Sequence, residues 1–280
     1  MNRILYIYAI MNSTTFIFIA VGVLLGLILT YFRRSSKRSS THRIPDRSFP
    51  REWRKLLEEH IVFYNKLNRA DKQEFENRVH IFLLNVRIVG VDTEVTHLDR
   101  IMVASSAIIP ILRFEKWHYS HLSEVQIHSD EFPIPKSGKM AKGLVGWGAM
   151  EGKMMLSRKA MVEGYSDQND QVNVALHEFI HLLDKLDGKI DGVLKNTMRD
   201  IDIKPWLHIV KSKMIEIEDG RSSIRDYGAT NRAEFLAAAG EFYFESPDKL
   251  KSEHPTLYSA LESVFNPNQA NLHRSRRSYW

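Results

Sequence analysis

The sequence predicts an α+β chain: a mainly helical domain with a small sheet, preceded by one transmembrane helix. Three observations predict it. Apolar residues recur at helical intervals between Pro50 and Leu112 and again between Val172 and Leu183. Only two short stretches, Glu124–His128 and Lys153–Ser157, alternate as strands do. Finally, no charge occurs from Ile4 to Phe32, and Phe16 to Phe32 is almost wholly apolar.

That apolar run is about 26 Å long as a helix, enough to span a bilayer. Asn12 to Thr15 interrupts its front, so the span begins near there. Arg33, Arg34, Lys37, Arg38 and Arg43 outweigh Arg3, which puts the following domain on the cytoplasmic side of a single-pass anchor. A cleaved signal peptide is the rival reading. It fits less well, because charge follows the apolar run and no small-residue cleavage site is evident. The expected segments are an anchor (1–34), a basic polar tether (35–48), a helical part (49–120), a site-bearing part (121–272) and a basic tail (273–280).

In the helical part, Pro50 suits a first turn, and Trp53, Leu56, Leu57, Ile61 and Tyr64 follow at helical spacing. Asp71 and Glu74 resemble a capping box that opens a second helix, with Phe75, Val79, Phe82, Leu83 and Val86 facing the core. A third runs from Leu98 to Leu112 and is stopped or kinked at Pro110. The strand Lys153–Ser157 lies just upstream of the helix that begins near Val172. His118, His121 and His128 match no metal-site spacing and read as surface histidines.

His177-Glu178-Phe179-Ile180-His181 is the stretch that names a chemistry. A spacing of four places both imidazoles on one helix face, where they can ligate one Zn2+. Glu178 lies about 100° round the helix, beside such a metal, suited to taking a proton from water. Val172, Leu176, Ile180 and Leu183 supply the apolar face, and Gly188 closes the segment. Asp184 shares the histidines' side and can accept a ring N–H. Asp187 lies too far along the axis to be a third ligand. The downstream helix around Asn231–Glu241 offers Glu234 or Glu241, about 10 Å apart, so one of them at most reaches the metal. Helical spacing leaves that choice open, and Glu234 also fits half of a capping box with Asn231.

Of the 280 residues, 44% are hydrophobic and 26% charged, ordinary for a globular chain. Cysteine is absent, which excludes disulfides and thiolate metal sites. The net charge of +5 lies largely just after residue 32 and in the last eight residues, with no basic face and aromatic platforms for nucleic acid.

Five pieces in order resemble one family: Gly143-Leu-Val-Gly146-Trp147-Gly148, Gly152-Lys-Met-Met-Leu156-Ser157, His177 through Gly188, Asp226-Tyr227-Gly228-Ala229, and Ala233-Glu234-Phe235 with Glu241 to Phe244. Over roughly residues 50–270 the chain is similar to the zinc peptidases of the Mlc titration factor A family. The resemblance implies a zincin-like fold, with Lys153–Ser157 as an edge strand bordering the cleft where an extended peptide can pair, and one catalytic zinc held by His177, His181 and Glu234. It further implies Glu178 as general base and Tyr227 as a hydroxyl near the substrate carbonyl. Its substrate would be a peptide or protein, with cleavage from the amino end or internally both open. Family members are associated with capture of the Mlc repressor, so a transcriptional repressor is an alternative partner. The uncharged N-terminal stretch departs from the family, whose members are soluble.

Overall fold

A computed structural model describes residues 43–115, 119–135, 137–167, 170–195, 197–198 and 200–267, all within one unit that starts at Arg43. Helix α1 (Arg51–His60) starts directly after Pro50, whose fixed φ suits that entry, and a short α2 (Val62–Asn65) follows. Leu57, Ile61 and Tyr64 are buried as the spacing requires. Helix α3 (Arg69–Asn85) packs on them, and its Glu76 accepts two bonds from Arg54 at 2.7 Å and one from Tyr64 at 2.6 Å. The capping expectation shifts here. Asn68 caps the helix by accepting from the Asp71 backbone, and the Asp71 carboxylate instead grips Arg113.

Helix α4 (His97–Ile108) carries a true capping box, Thr96 with Asp99, and ends in a single tight turn through Pro110. Strand β1 (Arg87–Val91) precedes it and β2 (Glu124–His128) follows. They pair in parallel, Arg87 opposite Glu124, so α4 lies on the crossover that a parallel pair needs. Two-residue strands β3 (Phe132–Pro133) and β4 (Met140–Ala141) form a small separate hairpin. Strand β5 (Gly143–Val145) pairs antiparallel with β6 (Lys153–Ser157), and β6 pairs in parallel with β2. The four-stranded order is β1-β2-β6-β5. Lys153–Ser157 is therefore interior, and the edges are β1 and, next to β6, β5, whose three residues are too few to show alternation. Arg158, opening α5 (Arg158–Ser166), bonds Asp99 at 3.0 and 2.9 Å and Thr93 at 2.7 Å, tying that end of the sheet to α4.

Helix α6 (Val174–Asp184) runs through the core. Leu176, Phe179, Ile180 and Leu183 are buried, and the Phe179 ring meets those of Phe82 and Tyr119 at 5.8 and 5.3 Å. Helix α7 (Asp200–Glu218) leads to α8 (Arg232–Glu245), where buried Ala237, Ala238 and Ala239 allow close packing. Short helices α9 (Pro247–Glu253) and α10 (Pro255–Phe265) complete the described chain.

The transmembrane helix expected over Phe16 to Phe32 lies outside the described residues. Among the described residues, no helix is long and apolar enough to cross a membrane. The longest, α7, carries Asp200, Asp202, Lys204, Lys211, Lys213, Glu216 and Glu218, charges too costly for a bilayer core. The fold class is corrected to a mainly helical α+β domain with a small sheet and, among the described residues, no membrane-crossing helix. The single-pass location and the membrane as partner fall with that correction.

Candidate metal centre

Asn173 caps α6 by accepting from the Leu176 backbone at 3.1 Å, which fixes where the helix starts and so which way His177 faces. One turn apart, His177 and His181 bring their rings to 4.6 Å, both nearly buried. Asn231 caps α8 in the same manner, accepting from Ala233 and Glu234 backbone groups at 2.9 and 3.1 Å. With its backbone so held, Glu234 points its carboxylate away from the cap. Oε2 lies 3.0 Å from His177 Nε2 and 3.2 Å from His181 Nε2, and the two Nε2 atoms are 3.0 Å apart. Among the described residues, these three form the group able to hold a metal ion.

Glu241, the rival glutamate, stands on the other side of the same ring. Its Oε1 is 2.7 Å from His177 Nδ1 and accepts from Arg225, and its Oε2 accepts the Asn173 backbone N–H at 2.5 Å. Because Glu241 is an acceptor, His177 carries its proton on Nδ1 in the neutral tautomer and presents a lone pair at Nε2. Nε2 faces the Glu234 oxygen at 3.0 Å, a contact that either a proton on Nε2 or a cation in its place stabilises. Two imidazole nitrogens and one carboxylate oxygen form a donor set suited to zinc with an open position.

Charges in this pocket are shifted accordingly. Burial pushes the Glu178 carboxyl up, and the two neighbouring imidazoles pull it partly back. Burial also raises Glu234, but its bonds from His177 and His181 outweigh that and hold it well below the usual carboxylate range. For His177, burial acts downward, yet the Glu241 and Glu234 carboxylates win and push it up to about 10.

Glu178 lines a cleft of about 570 Å³ together with β5, His177, His181 and Tyr227. Gly143 sits so close that a Cβ there would lie 2.6 Å from both Glu178 Cγ and Oε1. Tyr227 stands on a 3-10 turn, Asp226–Ala229, half exposed, with its ring 5.8 Å from that of His177. Partial burial and the nearby Glu234 and Glu178 carboxylates push its phenol up to about 12. His177, Glu178, His181, Glu234 and Tyr227 thus all line this cleft.

Asp184 does not meet the histidines. It accepts the Gly192 and Val193 backbone N–H groups at 2.8 and 3.1 Å, anchoring the loop after α6. His181 Nδ1 has no hydrogen-bond partner among the described residues. Asp187 pairs with Lys195 at 2.5 Å, away from the site. Arg225 has no spacing signal, and Gly143 enters the sequence reading only as the first residue of a matching piece, with no role attached. Their importance depends on where distant segments return.

The sequence profile of the family described as glucose-regulated metallo-peptidase M90 matches residues 33–266. The chain belongs to this metallopeptidase family. A curated relative, an uncharacterized protein of Synechocystis sp., is 27% identical over 235 residues, covering 78% of this chain and 85% of its own. Proteins named Mlc titration factor A from Yersinia pestis and Yersinia pseudotuberculosis are each 24% identical over 222 residues, covering 74% of this chain and 81% of theirs. These matches support the resemblance to the Mlc titration factor A family. Membership of a metallopeptidase family implies a metal ion.

Proposed function

We propose that the chain is a zinc-dependent peptidase in which His177, His181 and Glu234 hold the metal. The reading rests chiefly on the convergence of His177 Nε2, His181 Nε2 and Glu234 Oε2 beside a buried carboxylate in an open cleft. When bound, zinc supplies Lewis acidity toward a peptide carbonyl and lowers the pKa of water. Glu178 takes a proton from the attacking water and returns it to the leaving amine as the C–N bond breaks. Tyr227 donates a hydrogen bond from its hydroxyl, which keeps its proton, to the carbonyl oxygen as negative charge builds there. Glu241, held by Arg225 and the Asn173 backbone, keeps the His177 ring turned so that Nε2 faces the metal position. The substrate is an extended peptide that pairs with the free edge of β5.

The test is hydrolysis of a quenched-fluorescent peptide library by purified protein, with metal content measured alongside. Glu178→Gln should keep zinc and lose at least about 100-fold in turnover, the usual scale for a general base. Undiminished turnover in that variant overturns the assignment.

A second reading, regulatory binding of a transcriptional repressor, draws on the names of the Yersinia relatives. A repressor-type partner bound equally by wild type and Glu178→Gln, with no peptide hydrolysed by either, would favour it.

A further inference from the structure

Seven large apolar side chains are exposed among the described residues, and three of them, Met140, Trp147 and Tyr227, line the same cleft. Tyr227 already has a part in the proposed chemistry. Trp147 does not, and it is 52% exposed. Its position is nevertheless fixed. The Lys185 ammonium sits 4.3 Å from the ring centroid, and it also donates to the Gly146 carbonyl at 2.7 Å and to Glu151 at 2.8 and 2.9 Å. Just before it, a Cβ on Gly146 would lie 2.0 Å from the Met150 carbonyl oxygen, so the turn is too tight for any other residue. An exposed aromatic ring held this firmly has already given up its conformational freedom, which lowers the cost of binding against it.

The chain from Gly143 to Trp147 is extended. Gly146 continues the β5–β6 ladder by donating to Lys153 at 2.9 Å, and Trp147 itself has φ −132° and ψ 152°. Four steps of about 3.3 Å separate Trp147 from Gly143 by roughly 13 Å. Gly143 marks the reacting position, because it touches Glu178. A peptide laid along β5 advances at the same rise, so the indole faces a residue about four positions from the cleaved bond. One face of the ring is covered by Lys185, which leaves the other for an apolar or aromatic side chain.

Resting on the peptidase reading, we infer that Trp147 is a specificity-determining residue. It selects extended peptides with an apolar or aromatic side chain about four residues from the scissile bond.

The experiment walks a single phenylalanine through an otherwise Gly/Ser-rich peptide and measures kcat/KM at each position for wild type, Trp147→Ala and Trp147→Leu. Wild type should show a preference of at least about tenfold at one remote position. Trp147→Ala should erase that preference, losing at least about tenfold more on the preferred peptide than on the phenylalanine-free one, and Trp147→Leu should retain part of it. An equal loss on all peptides would make Trp147 merely structural, and an unchanged preference would remove it from recognition. Both results overturn the inference. Affinity of the same peptides for Glu178→Gln, with and without Trp147→Ala, is read by fluorescence polarisation of a terminal dye. If nothing is hydrolysed, the peptidase reading fails separately. The platform then stands only if that affinity still falls about tenfold on loss of Trp147, and an unchanged affinity overturns it.

Discussion

Replacing Gly143 by alanine should silence the site without touching a metal ligand. The backbone at Gly143 is not in the left-handed region, so alanine brings no main-chain strain. The new methyl, however, would lie 2.6 Å from Glu178 Cγ and Oε1 and 2.8 Å from Val174 Cγ1. Carbon atoms pack at about 3.5–4.0 Å, so a shift of about 1 Å is required. Helix α6 cannot supply it, since Phe179 and Ile180 are fully buried and fix its main chain. The side chain of Glu178 is what moves. A displacement of about 1 Å in a reacting group costs on the order of 100-fold in rate. Overpacking of this size should lower stability by about 1–3 kcal/mol. The assay is kcat on a cleaved peptide, with zinc stoichiometry and thermal unfolding measured on the same preparation. Turnover within about threefold of wild type at full zinc would refute the argument, and loss of zinc would show that the strain reached the histidines instead.

Three further outcomes follow from the same geometry. The double variant His177→Ala, His181→Ala should hold no zinc by elemental analysis, and full occupancy there would exclude the site. Glu234→Ala should strip zinc outright, whereas Glu241→Ala should weaken affinity by about 10–100-fold, as expected for a carboxylate that orients a ligand; zinc titration separates the two. Glu76→Gln should lower the melting temperature at pH 7 and flatten its acid dependence. Burial raises this carboxyl, but bonds from Arg54 and Tyr64 outweigh it and hold the group below 4.5. Its contribution is therefore present above pH 4.5 and lost as pH falls through the folded value, which thermal melts across about pH 3–7 will reveal.

What the sequence carried was local and periodic. His177, Glu178 and His181 are set by helical spacing alone, and Glu124–His128 and Lys153–Ser157 appear at the residues whose alternation announced them. Glu234 needed the family resemblance, because either glutamate of α8 lies within reach of His177. The geometry uses both, on opposite ring nitrogens. Asp184 departs from its expectation for a different reason. Its side of the helix was right, but its partners are N–H groups of a loop that returns eight and nine residues later. Strand β5 was invisible because three residues, one of them glycine, carry no periodic signal. The membrane helix was inferred from apolar length alone, a property that no helix among the described residues shares.

Glu234 follows His181 by 53 residues, and this separation has a consequence for biosynthesis. A growing chain displays both histidines on α6 long before α8 has been made. Two imidazoles alone bind a metal weakly, and the carboxylate that completes the set arrives only when α8 docks. Under the proposed ligand set, hydrolytic chemistry is thus withheld until most of the core around α6 is already sequestered. A ribosome-bound intermediate has the motif but not Glu234, so on that proposal it would be unable to cut itself while its own segments are still extended. Truncation before Asn231 should leave a chain with an intact HExxH and no capacity to become a peptidase.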